Sequence, residues 1–145
     1  MINRRALLGA VLAAVTAVSL TPSLLTAADP ILLRDLYNRD MSFSDLALAN
    51  EDQRVSVQGY MAPPLKAEAA FFVLTKMPMA VCPFCEAEAD WPADIVLVLT
   101  RGVMTSIPFN LPIEVEGMLS LGTEVDEETG FVSRVRLVDA TFRRL

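Results

Sequence analysis

Two cysteines spaced C-x-x-C, Cys82-Pro83-Phe84-Cys85, are the side chains in this 145-residue sequence whose type and spacing could do chemistry. That spacing lets two sulfurs converge on one atom or on each other, so it serves soft-metal binding or a thiol/disulfide switch. Met77 and Met79 precede the pair, and Glu86, Glu88 and Asp90 follow it. Copper(I) is soft, favours thiolate and thioether, and accepts two or three ligands, so Cys82 and Cys85 with Met77 or Met79 could hold it. Zinc wants about four ligands. With no histidine in the chain, zinc would need Glu86, Glu88 or Asp90, or a shared site between two chains. The absence of histidine also excludes haem attachment through C-x-x-C-H and any Ser/His/Asp set. Against the metal reading, methionines in an apolar loop commonly fill gaps.

Redox chemistry is the competing use. The cysteine spacing is similar to that of glutaredoxin-like oxidoreductases, and Ile107-Pro108 could supply a facing proline loop. Such enzymes need a helix running well past the second cysteine, to lower the first thiol's pKa. Here Glu86 to Asp90 meets Trp91-Pro92 after about one and a half turns, where proline stops a helix. The three acids also oppose thiolate formation. The plainest alternative is a disulfide between Cys82 and Cys85 that stiffens a loop, although so small a ring removes little entropy from the unfolded chain.

The compartment decides which of these uses is open. Asn3-Arg4-Arg5-Ala6-Leu7-Leu8 resembles a twin-arginine export signal, with an uncharged run from Ala6 to Leu20 and small residues Thr26-Ala27-Ala28 suited to a signal peptidase. The run is short and alanine-rich for a membrane span, which needs roughly 20 apolar residues, so a retained anchor is the weaker alternative. Residues 1–28 are therefore read as a signal, and the expected location is the periplasm, peripheral to a membrane at most. Removing them leaves 117 of 145 residues, one domain's worth, and takes two of the 12 basic residues but none of the 18 acidic ones. Net charge moves from −6 to −8. A surface so negative repels phosphate backbones, which argues against a nucleic-acid partner.

The elements that must position the cysteines read mostly as strands. Residues 29–53 form a lead-in with short helices: Leu32, Leu33, Leu36 and Tyr37 recur at helical spacing, and Ser42 or Ser44 could cap a second turn through Ala49. From residue 54 to 145 the pattern is β. Val55, Val57 and Gly59 alternate with polar residues until Pro63-Pro64. Phe71 to Thr75 is a second apolar run, and Ile95 to Leu99 reads as a strand buried on both faces. Ile113, Val115 and Gly117 alternate with Glu114 and Glu116, a strand wet on one side. Asp126-Glu127-Glu128-Thr129-Gly130 is a solvated turn that lacks the ligand pattern of a calcium loop, and Val135 and Leu137 alternate with Arg134 and Arg136. Gly59 and Gly117, inside strands, suggest bulges or barrel corners. Trp91 beside Pro92 suggests a lid over one barrel end. Five such strands and no long helix predict a mostly β fold, a small five-stranded barrel of the oligonucleotide/oligosaccharide-binding (OB) type.

Val55 to Pro63, Phe71 to Leu74, the cysteine-bearing loop leading into Ile95 to Val98, and Pro112 to Gly117 together resemble a group of bacterial periplasmic, barrel-like proteins. The resemblance spans roughly residues 54–139. It implies the barrel and the compartment, and an association with membrane transport systems; it brings no reaction with it. The sequence thus leads to an exported, non-catalytic binding or accessory module, with copper or zinc as candidate metals and a membrane transport or metal-handling assembly as partner. A thiol/disulfide oxidoreductase is the alternative, and a structural staple the third reading.

Overall fold

Alternation dictates the first long strand. In Arg54–Met61, Val55, Val57, Gly59 and Met61 turn inward while Ser56, Gln58 and Tyr60 are half-buried on the other side, as a period of two requires. A computed structural model describes residues 29–64, 70–80, 94–127 and 130–145. In chain order these form β1 (Ile31–Leu32), a 3-10 turn (Leu33–Leu36), α1 (Asp45–Ala49), β2 (Arg54–Met61), β3 (Phe71–Thr75), β4 (Ile95–Thr100), β5 (Pro112–Val125) and β6 (Val132–Arg144). The fold is mostly β: one mixed six-stranded sheet in the order β1-β2-β3-β4-β6-β5, with β2 also paired to β5. β1 lies parallel to β2 and β4 parallel to β6, while the remaining pairs are antiparallel. The proposed export signal lies outside the described residues. Among those that are described, no helix is long and apolar enough to cross a membrane.

The strand reading needs two adjustments. Ile31–Leu32 adds a sixth, two-residue strand where helical spacing was expected. Leu33 and Leu36 are then three residues apart, the repeat of a 3-10 turn, and both are buried. Ser44 does cap the following helix, its Oγ accepting from the Ala47 amide at 3.1 Å. The second adjustment concerns length. β5 continues past Leu119 to Val125 and β6 begins at Val132, so the two strands run out to the acidic run itself.

Leu33, Leu36, Tyr37 and Ala47 of the lead-in join Val57, Phe72, Val96, Val115 and Leu137 in one core. Tyr37 and Phe43 pair in an isolated bridge, and the Arg134 guanidinium from β6 lies 5.6 and 5.3 Å from their ring centroids. Arg134 also donates to the Met41 carbonyl, which fastens the lead-in to the last strand. β4 is covered on both faces, as its unbroken aliphatic run predicts: Val96 and Val98 sit in the main core, while Ile95 and Leu97 join Ala62 and Val73 in a second cluster.

The bulge expected at Gly117 is present. Glu116 faces Thr141 and Met118 faces Val138, so Asp139 and Ala140 together oppose the single Gly117. Asp139 adopts the left-handed conformation there (φ 53°), and its carboxylate takes Arg54 at 3.0 Å and both Nε and Nη2 of Arg101.

Candidate functional site

The candidate metal segment hangs from the neighbouring ends of β3 and β4. Thr75 pairs with Ile95 across the two strands. Just beyond them, the Lys76 amide donates to the Asp94 carbonyl at 3.1 Å. The chain therefore leaves and rejoins the sheet at one closed neck. Thr75 Oγ1 stands 2.8 Å from the Met77 carbonyl and 3.2 Å from that of Tyr60, so its one proton ties the outgoing chain to β2 and β3.

Cys82 and Cys85 lie outside the described residues, as do Glu86, Glu88, Asp90 and Trp91. Of the expected ligands the structure places two. Met77 is 60% exposed and Met79 is half-buried, both just past the neck. Met77 is among the exposed large apolar residues and does not fill a gap in the core. Among the described residues there is no group of three or more His, Cys, Asp or Glu side chains that could hold a metal ion. Ile107 packs on the main core and its amide points at Met61 Sδ, 3.3 Å away.

Two polar clusters escaped the sequence reading. Glu114 is only 9% exposed, on the face read as wet. It accepts from Gln58 Nε2 at 3.0 Å and from Arg143 Nη2 at 2.6 Å. These donors, Gln58 first, hold its carboxyl below the usual glutamate range. Arg136 is the other case, at 5% exposure. Its Nη atoms reach Ser120 Oγ at 2.9 Å and the Gly122 carbonyl at 2.8 Å. Glu124 approaches its Nε at 2.9 Å as an ion pair, off the direction an N–H hydrogen bond needs. Each such residue sits on a strand's polar alternation, and most of its partners lie 12 to 56 residues away. Only a pairing register could have exposed that.

Asp139 is likewise held below the ordinary aspartate range, chiefly by Arg101. Carboxyl groups depressed in the folded state stabilise it above their unfolded pKa, about 3.9 for Asp and 4.3 for Glu, and that contribution is lost as pH falls through the folded values. The thermal midpoint should therefore drop steeply below about pH 4. Asp139→Asn should lower the midpoint at pH 7 and flatten the acid limb. An unchanged acid limb in that variant would assign the acid sensitivity to other groups.

No family model matches the chain, and no curated protein matches it. Among solved structures, it is similar to a crystal structure of a DUF3299 family protein from Pseudomonas aeruginosa PAO1, with 16% sequence identity and a TM-score of 0.49 over 80% of this chain and 95% of that one.

Proposed function

We propose that this chain is an exported, non-catalytic binding or accessory module that takes a soft metal, copper(I) ahead of zinc, at Cys82 and Cys85 with Met77 or Met79. In this reading residues 1–28 are a cleaved signal, the protein works in the periplasm, and its partner is a membrane transport or metal-handling assembly. The domain is a five-stranded OB-like barrel preceded by the lead-in. What supports the barrel is the order of pairing: β2 to β3, β3 to β4, β4 to β6, β6 to β5, and β5 back to β2. The parallel β4–β6 pair is the step that a simple up-and-down meander would lack.

The observation that carries the metal reading is the exposed Met77 residue, five residues before Cys82, on a backbone anchored by Thr75. A methionine outside the core at the start of a C-x-x-C segment is available to a soft ion in a way that a core methionine is not.

Titration of copper(I) into the reduced protein should give one tight equivalent per chain. Cys82→Ser with Cys85→Ser should abolish it, and Met77→Leu with Met79→Leu should weaken it at least about tenfold, the low end for residues that support a metal site. Retention of copper by the double serine variant would sink the proposal. A reduction potential in the oxidoreductase range, with turnover on a disulfide substrate, would replace it with thiol exchange.

A further inference from the structure

Thr75 closes β3 and is the one polar side chain in a strand that otherwise reads Phe-Phe-Val-Leu. It is 1% exposed. A hydroxyl buried that deeply needs a partner, whereas a valine of the same shape would need none. Both carbonyls within its reach, Met77 at 2.8 Å and Tyr60 at 3.2 Å, compete for a single proton, and the shorter contact is to Met77. Met77 is the first residue past the Lys76–Asp94 neck. Fixing its carbonyl fixes a planar peptide, and with it the Cα from which the Met77 side chain leaves.

The same device recurs at the far end of β4, which shows what it does when no side chain depends on it. Thr100 Oγ1 stands 2.8 Å from the Ala70 carbonyl and 2.8 Å from the carbonyl of Gly102, again two residues on. Glycine has no side chain to place. At Thr75 the residue held in this way is a methionine at the start of the cysteine-bearing segment. Among the described residues, no side chain ties the Met79 backbone in the same manner.

Resting on the soft-metal reading above, we infer that the thioether ligand is Met77 ahead of Met79, and that Thr75 is the residue that positions it. Tied at its own carbonyl, Met77 meets the metal from a fixed point on the sheet, so less freedom is lost when the ligands converge.

Copper(I) affinity of the full, reduced chain, read by competition with a chelator, is the measurement. Thr75→Val removes the hydroxyl at constant shape and should weaken copper(I) about tenfold, the low end for residues that support a metal ligand. Thr75→Ser keeps the hydroxyl and should bind like the wild type. Thr75→Ala leaves room for a water at the two carbonyls; it should show the same loss even where the valine variant does not fold. Met77→Leu should lose about as much, and more than Met79→Leu. Adding Thr75→Val to Met77→Leu should cost nothing further, because the two changes remove one interaction. Thr100→Val, the same chemistry at the other strand end, should leave copper(I) binding intact. Wild-type affinity in Thr75→Ala, a full further loss in the Thr75→Val, Met77→Leu double variant, a larger loss at Met79 than at Met77, or an equal loss in Thr100→Val would each overturn the role of Thr75 and leave the soft-metal reading standing. A wild-type chain that takes up no copper(I) would remove both.

Discussion

Gly59→Ala should cost about 3 kcal/mol of folding stability, the top of the range for an overpacked core. A methyl group built at Gly59 would stand 2.6 Å from the Thr75 carbonyl oxygen and 3.0 Å from Leu74 Cγ. The leucine could shift its side chain. The carbonyl cannot move so cheaply, because it belongs to the stretch where Tyr60 pairs with Thr75. Thr75 also holds the Met77 carbonyl and pairs with Ile95, so the strain would reach the neck of the cysteine-bearing segment. Urea unfolding of the two proteins measures the loss. An unchanged midpoint would mean that β3 can move away from β2 at little cost.

The second large effect is expected at Leu36, in the lead-in. Leu36→Ala should destabilise the protein by about 3 kcal/mol, within the 2–5 typical of buried leucine truncations. Leu36 is fully buried and packs in the main core with residues from the sheet. The control is Leu48→Ala on α1. Leu48 is 52% exposed, so its loss should stay within about 0.5 kcal/mol. Equal small losses at both sites would mean that the lead-in is an appendage and the sheet is stable without it.

Much of the fold was legible in the sequence because it follows from period-two patterning. The aliphatic run from Ile95 to Leu99 announced a strand covered on both faces, and Val96 and Leu97 are buried in separate clusters on its two sides. Gly117 suggested a bulge or a barrel corner and faces a bulge in β6, whereas Gly59, read the same way, pairs with β5 in unbroken register. Helical spacing misled at Ile31–Leu32, where pairing to Val57 and Gln58 overrode local preference. The buried polar residues were illegible for a different reason. Glu114 and Arg136 look like ordinary wet-face residues until Gln58, Arg143, Ser120 and Gly122 are brought to them by strand register. Of the candidate site, the sequence supplied the sulfur donors, and the structure adds the exposure of Met77 and the closed neck behind it.

The hydrogen bond from Lys76 to Asp94 has an evolutionary side. Because the chain leaves and returns between paired residues, closing this neck requires of the intervening stretch that its two ends meet. Doubling the length of such an excursion costs only about 0.6 kcal/mol in closure entropy. Changes of length between residues 77 and 93 therefore cost the closure of that neck little. The neck thus sets a low entropic barrier to insertions and deletions at this point of the chain.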